Sequence, residues 1–410
     1  MKIALLGYGK EGQSTEEYFK KHFKDLKCDV YENFTYDEIK KQDFSSYDMV
    51  FRSPSVPPLE LANETSMTRY FFDHCPCPII GVTATKGKGT TCSFISAILS
   101  ALDRDVHLIG NIGNPAIDAL DSLEDTSVVV FELSSFQLWD LTKSPHVAVI
   151  GTIEPDHLNV HKDYNDYLWA KSHIGKYQSK DDYLVYFKNN PESVKLANTS
   201  PAKKVSYPFG IPEMIKKAIR LPGKHNEDNA IAAISAVACY MDMEPEEFTR
   251  DYEKQIITGL GNFTGLPHRL EFVRELGGVS YYDDSFSTNP SSTRVAIDSF
   301  PDKEIVAIIG GRDKTDYEDL AEIYEILRAP QVKKIVLIGE SGHELKNRYE
   351  DPRFLVAESL EEAINISRNE AEKLGEAVVL MSPAAASFDM FENVYDRGSQ
   401  FQKLVNSLNY

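Results

Sequence analysis

Positive charge is scarce in this chain. Of 410 residues, 44 are Lys or Arg and 63 are Asp or Glu, which leaves a net charge of -19. That deficit argues against a general nucleic-acid binder, whose affinity for a phosphate backbone comes from clustered Lys and Arg. Small anionic ligands stay open, because backbone amides and a few lysines suffice to hold them. Long apolar runs are also missing, so no segment reaches the roughly 20 residues of a membrane-spanning helix. The opening MKIALLGYGKEG has only a short apolar run before glycines and charges, which fits a buried first strand better than a signal peptide. Cysteines number five, with no disulfide ladder and no paired CxxC. The lone Cys75-Pro76-Cys77 reads as structural, and a reducing cytoplasm is the expected setting. Repeats, low-complexity tracts and long linkers are absent from the sequence. What the chain does have is 42% hydrophobic and 11% aromatic residues over a length suited to two or three domains.

The order of elements predicts an α/β protein. Lys2–Leu6 is a short apolar strand, followed by a glycine turn and a helical pattern over Ser14–Phe23. Strands are expected at Cys28–Tyr31 and Tyr47–Arg52. A second unit begins near residue 79 with strand Ile79–Thr83, a lysine- and glycine-rich loop, and a helix to about Leu102. Ser127–Phe131 and Val147–Ile150 are further apolar strands. Residues 179–222 are more polar and carry no clear pattern, and Asn226–Met241 reads as a helix. A third unit starts near Pro267, with strands at Val279–Tyr282, Glu304–Ile309, Lys334–Ile338 and Ala377–Met381 and a helix over Leu360–Leu374. Strands alternating with helices imply parallel sheets.

Several motifs sit where this pattern places strand ends. Gly7-x-Gly9-x-x-Gly12 after the first strand, with Glu32 twenty residues past Gly12, fits a dinucleotide-type phosphate turn: NAD is one ligand it would take, and any nucleotide diphosphate another. As a purely structural turn it would need no ligand. The stretch Ala84-Thr85-Lys86-Gly87-Lys88-Gly89-Thr90-Thr91 lies between a strand and a helix, as a phosphate loop must, although the standard G-x-x-x-x-G-K-[ST] is not met. Lys88 would reach the phosphates and a following hydroxyl would meet Mg²⁺. Glu132 ends an all-apolar strand, where nucleotide enzymes of this class hold a metal and where a helix cap is the plain alternative. His157 and Lys171 mean little singly. His225, Asn226 and Asn229 gather at a helix start, with capping by Asn226 as the ordinary reading. Ser285, Thr288, Lys314 and Ser387 follow strand ends in the third unit, where they either hold a polar substrate or are simple turn residues.

Taken in order, these stretches resemble the Mur ligase family of ATP-dependent amide-bond ligases. The segments are GYGKEGQS (7–14), GVTATKGKGTT (81–91), GNIGNP (110–115), FELSSFQL (131–138), EPDHLNVH (154–161), WAKSHI (169–174), LPGKHNEDN (221–229), FTGLPHRLEFV (263–273), DDSFSTN (283–289), GGRDK (310–314) and LMSPAAASFDMF (380–391). ELSSFQL, FTGLPHR and SPAAAS with Arg397-Gly398 point to the D-glutamate-adding branch. The resemblance implies three domains: a Rossmann-like UDP-binding domain (1–78), a central P-loop-type ATP-binding domain (79–266), and a Rossmann-like domain for the amino acid (267–410). It implies that ATP phosphorylates the terminal carboxylate of UDP-N-acetylmuramoyl-L-alanine and that the amine of D-glutamate attacks the acyl phosphate, in a cytoplasmic monomer.

The resemblance also implies roles for residues by their position in these motifs. Thr85, Lys86, Gly87, Lys88, Gly89, Thr90 and Thr91 form the ATP phosphate loop. Asn229, Arg269 and Asp284 lie near adenine, phosphate and ribose. Thr90, Glu132, His157 and Lys171 serve two Mg²⁺ ions, with Lys171 carbamylated; Lys88, Glu132, His157 and Lys171 are the catalytic set. Lys10, Glu11, Glu32, Asn33 and Asn111 meet the UDP substrate, and Thr288, Lys314, Ser387 and Phe388 meet the amino acid. The chain departs from the family's pattern at Ala84, usually Gly; at Gly89, usually Ser or Thr; at Phe286, usually Lys; at Ser55, usually Gly; and at Val394, usually aromatic.

Overall fold

The computed structural model describes residues 1–110, 115–158, 160–313 and 317–409. The chain forms two compact units, one of Met1–Ile219 with His225–Phe263, the other of Arg220–Lys224 with Thr264–Tyr410. Among the described residues, no helix is long and apolar enough to cross a membrane.

The first unit holds two parallel sheets. Strands β1 (Lys2–Leu6), β2 (Lys27–Tyr31), β3 (Met49–Arg52) and β4 (Glu64–Ser66) make a sheet of order β2-β1-β3-β4. Strands β5 (Ile79–Thr83), β6 (Val106–Gly110), β7 (Val128–Glu132), β8 (Val147–Ile150), β9 (Tyr183–Phe187) and β10 (Lys203–Tyr207) make a sheet of order β10-β9-β8-β5-β7-β6. β5, β7 and β8 are buried along their whole length. Helices cover both faces of a parallel sheet, so these strands read as continuous apolar runs rather than alternating ones. The expected strands and the phosphate-loop helix appear, the latter as Lys88–Ala101. The first helix starts earlier than its pattern predicts, at Lys10, directly on the glycine turn.

The stretch 179–222, which shows no pattern in sequence, is regular structure: β9, a helix at Pro191–Ala197, β10 and a helix at Glu213–Ala218. β10 is the edge strand, and Lys203, Lys204 and Ser206 are exposed along it. An edge needs little apolar character, and lysines there discourage pairing with another chain. The helix expected at Asn226–Met241 runs over Lys224–Tyr240. Asn226 therefore sits inside its first turn rather than at its cap.

The second unit holds one mixed sheet. Its strands are β11 (Glu271–Leu276), β12 (Val279–Asp283), β13 (Glu304–Ile309), β14 (Val332–Leu337), β15 (Phe354–Val356) and β16 (Ala377–Met381), in the order β11-β12-β16-β13-β14-β15. β11 alone runs antiparallel, against β12. Helix Leu360–Leu374 has its expected bounds. Ser359 caps its start by accepting from the Glu362 amide, and Gly375, at φ 90°, ends it.

The two sheets of the first unit are joined by a buried ion pair. Arg52, at the end of β3, donates from Nη2 to Asp140 Oδ1 at 2.8 Å and from Nη1 to the Val56 carbonyl at 2.8 Å. Ser66 donates to the same Asp140 oxygen at 3.0 Å. Arg52 is 1% exposed. Removing one member of such a pair strands the other in low dielectric. We expect Arg52→Met to cost about 3–5 kcal/mol in urea unfolding, and an Arg52→Met/Asp140→Leu double variant to regain much of that loss. A double variant as unstable as the single one would contradict this.

Candidate functional site

The central sheet places its chemistry at the carboxyl ends of β5, β7 and β8, the edge where open α/β sheets bind ligands. β5 runs into the glycine-rich loop. Gly87 has φ 83°, and a Cβ there would stand 2.6 Å from Asn229 Oδ1. The left-handed turn and the packed asparagine both demand glycine. Thr91 Oγ1 donates to Asn229 Oδ1 at 3.3 Å, so Asn229 fastens the start of helix Lys88–Ala101. Thr90 lies half-buried in the same first turn, and Lys86 is exposed. Ala84 is accommodated by Gly151 at the end of β8, where a Cβ would come within 2.8 Å of the Ala84 methyl.

Two lysines meet at this loop. Lys88 Nζ donates to the carbonyls of Ala84 at 3.0 Å and Thr85 at 3.1 Å. Lys171 Nζ donates to the same Ala84 carbonyl at 2.9 Å and to Thr83 Oγ1 at 3.1 Å. Thr83 Oγ1 in turn donates to the Leu133 carbonyl at 2.9 Å, which ties Lys171 to the end of β7. Lys171 is 2% exposed and Glu132 4%. Burial holds the Lys171 amine well below the usual lysine range, Lys88 pushes it the same way, and Asp156 and Glu132 act in the opposite sense. A fixed cation in a desolvated site favours the neutral amine. His157 has φ 54° and packs against Phe136. Burial lowers its pKa first, Asp156 opposes, and both Lys88 and Lys171 lower it further.

A neighbouring histidine that the motif reading passed over organises these parts. His161 is buried, with Nδ1 at 2.9 Å from Asp166 Oδ2 and Nε2 at 2.9 Å from Ser135 Oγ, and it stacks on Phe136. It joins the loop after β7 to helix Tyr164–Lys176, which carries Lys171. Its only signal in sequence is its place in EPDHLNVH.

The glycine turn after β1 is also built for close approach. Gly7 has φ 92°, and a Cβ on Gly12 would lie 2.6 Å from the Gly7 carbonyl. Nothing lies within 4 Å of the same position on Gly9. Lys10 is exposed, and Glu32 and Asn33 are exposed beyond β2. Glu11 Oε1 accepts from Gln137 Nε2 at 3.2 Å. Burial raises the Glu11 carboxyl to about 7, with Gln137 and Arg52 pulling it down.

The remaining expected residues lie in the second unit. Asp284 is buried and accepts from Ser382 Oγ at 2.7 Å, from the Leu270 amide at 3.1 Å and from Ser287 Oγ. Burial raises its carboxyl to about 7 against those hydrogen bonds. The Arg269 guanidinium stacks on the Phe286 ring at 4.8 Å. Thr288 is half-buried after β12, Ser387 is fully buried after β16, and Phe388 is exposed. Asn111 and Lys314 lie outside the described residues.

The donor set of the first unit fits Mg²⁺ and a nucleotide triphosphate. Glu132 and the Thr90 hydroxyl are hard oxygen donors, and the helix start and Lys88 suit phosphate. An ammonium is no metal ligand, so Lys171 could join that set only as an anionic carbamate.

A parallel sheet with a lysine-bearing phosphate loop after its first strand and a carboxylate at the tip of the adjacent one defines an α/β nucleotide-using enzyme. Residues 82–237 match the Mur ligase middle domain, and residues 268–384 match the glutamate ligase domain of Mur ligases. The chain is 33% identical to the UDP-N-acetylmuramoylalanine–D-glutamate ligase of Clostridium botulinum, covering 88% of this chain and 83% of that relative. It is 35% identical to the enzyme of the same name from Acetivibrio thermocellus, over 97% and 89%. Its fold is that of UDP-N-acetylmuramate-alanine ligase from Thermotoga maritima, with a TM-score of 0.59, 17% identity and 99% of each chain covered. It is likewise that of Thermotoga maritima MurF, solved in complex with ADP, at TM-score 0.59 and 14% identity over 98% and 95%. The chain belongs to the Mur ligase family.

The raised Glu11 carboxyl has a pH consequence. Between about 4.5 and about 7 the folded state holds a proton that the unfolded state has released, so stability falls as pH rises through that window. Glu11→Gln should remove this part of the decline. Thermal melts from pH 4.5 to 7.5 check it; parallel curves for the two proteins would contradict it.

Proposed function

We propose that this chain is an ATP-dependent ligase that joins D-glutamate to UDP-N-acetylmuramoyl-L-alanine in peptidoglycan precursor synthesis. The observation that carries the reading is the convergence of Lys88 and Lys171 on one carbonyl at the end of β5, beside the strand that ends in Glu132. The names of the relatives that match most of its length support the acceptor.

In this reading the alanine carboxylate attacks the γ-phosphorus of ATP, ADP departs, and an acyl phosphate forms. The amine of D-glutamate adds to the acyl carbon, a proton leaves the nitrogen, and phosphate is expelled. A carboxylate is a poor acyl donor, so phosphorylation supplies the leaving group. Lys88 and the amides at the start of helix Lys88–Ala101 bind the phosphates. Thr90, Glu132, His157 and carbamylated Lys171 would hold two Mg²⁺ ions, which would neutralise the charge developing on the transferred phosphoryl group. A neutral, buried Lys171 amine is the form that takes up CO₂. Asn229, Arg269 and Asp284 hold the nucleoside and phosphate side of ATP. Lys10, Glu11, Glu32, Asn33 and Asn111 receive the UDP moiety, and Thr288, Lys314, Ser387 and Phe388 receive D-glutamate. The working division is 1–78 for the UDP substrate, 79–266 for ATP and 267–410 for the amino acid, in a cytoplasmic monomer.

Phosphate release from Mg-ATP with UDP-N-acetylmuramoyl-L-alanine and a panel of amino acids tests this. Release confined to D-glutamate is the expected result, with Lys88→Ala reducing turnover by about 10³-fold or more, as for loss of a transition-state phosphate contact. A better acceptor than D-glutamate, or near-normal turnover of Lys88→Ala, would overturn it.

A further inference from the structure

The second unit contains a buried arginine to which the site assignment gives no role. Arg397 stands in the first turn of helix Val394–Ser407, whose start is fixed by Asn393 accepting from the Tyr395 and Asp396 amides. It is 0% exposed. Among the described residues its hydrogen-bond partners are carbonyls. Nη2 donates to Ser285 O at 2.7 Å and to Ala385 O at 3.1 Å, and Nη1 donates to Ala385 O at 3.1 Å and Ala386 O at 3.2 Å. One guanidinium thereby links the loop after β12 to the loop after β16. It also bears on a third segment. Gly311, beyond β13, is bare where a Cβ would lie 3.2 Å from Nη1. The next residue, Arg312, exchanges backbone hydrogen bonds with Ala386 at 2.8 and 3.2 Å. These loops carry Thr288 and Ser387. The helix bearing Arg397 is held in turn by Gly398, packed so closely on His268 that a Cβ would lie 2.1 Å from its Nδ1.

We propose that Arg397 is a positioning residue for the amino-acid subsite: its planar fork sets the separation of the loops after β12 and β16, and so the spacing of Thr288 and Ser387. A guanidinium offers five donors in a fixed plane, whereas a lysine concentrates its donors at one point and cannot span both loops in the same geometry. Burial lowers the guanidinium to about 10 while Asp389, Asp283 and Asp284 act to raise it, so the group stays charged at neutral pH and Arg397→Lys preserves the charge while removing the fork.

This proposal rests on the D-glutamate reading, and wild-type activity separates the two. If the wild type does not use D-glutamate, that reading has failed. If it does, steady-state kinetics of Arg397→Lys decide the role of Arg397. The expected result is a KM for D-glutamate raised by about tenfold or more, and raised more than the KM for ATP, with kcat at saturation within about threefold of wild type. A purely structural role would lower the folded, active fraction, and hence kcat, at constant KM. An unchanged KM for D-glutamate would overturn the proposal. Arg397→Gln, which keeps only one short donor arm, is measured beside it, with ADP binding by calorimetry as the check on folding. If Arg397→Lys does not fold, a raised D-glutamate KM in Arg397→Gln supports the proposal and an unchanged one overturns it.

Discussion

The carbonyl of Ala84 accepts from both Lys88 and Lys171, and the chemistry proposed for the first unit depends on that shared acceptor. Two ammonium groups drawn to one oxygen in a desolvated site repel each other. Burial and that repulsion both lower the pKa of Lys171, the more deeply buried of the two. What fixes the geometry is the sheet. β5 lies between β7 and β8, all three buried, so their ends deliver Thr83 and Ala84, Glu132, and the loop toward His157 side by side. Helix Tyr164–Lys176 then brings Lys171 back onto the end of β5, held by Thr83 and through it by Leu133.

The segment after Glu132 serves two purposes. Ser134 and Gln137 form a reciprocal cap on the short helix Ser135–Leu138. Ser135 holds His161, Gln137 holds Glu11, and Asp140 holds Arg52. Residues that follow the candidate metal ligand therefore also set the glycine turn of the first sheet. A change in this segment would reach His161, Glu11 and Arg52 through direct hydrogen bonds. In the second unit Arg397 has a comparable position, with one buried cation satisfying carbonyls from separate loops.

Much of this was legible because buried parallel strands and phosphate turns leave strong local signals. Val147–Ile150, Ile79–Thr83 and the capped helix Leu360–Leu374 carry their bounds in their own residues. The signals fail at edges. β10 presents lysines, β11 mixes charged with apolar residues, and β4 and β15 are three residues long, so none of them makes an apolar run. The glycine-rich loop lies between β5 and helix Lys88–Ala101, and Glu132 ends β7, as the order of elements predicts. The long-range partners do not announce themselves. Arg52 and Asp140 are 88 residues apart, and Arg397 and Ser285 are 112 apart; a charged residue in sequence gives no sign that it is buried until its carbonyls or counter-charge arrive from elsewhere in the fold.

The account turns on the protonation of Lys171, and one spectrum addresses it. Purified protein in ¹³C-bicarbonate is examined by carbon NMR, wild type against Lys171→Ala, with phosphate release followed in the same buffer and in buffer stripped of CO₂. A neutral Lys171 amine predicts a lysine carbamate signal in the wild type that is missing from the variant, and activity that falls when CO₂ is removed. Full activity without CO₂, in a protein that shows no carbamate at any bicarbonate concentration, would contradict the account.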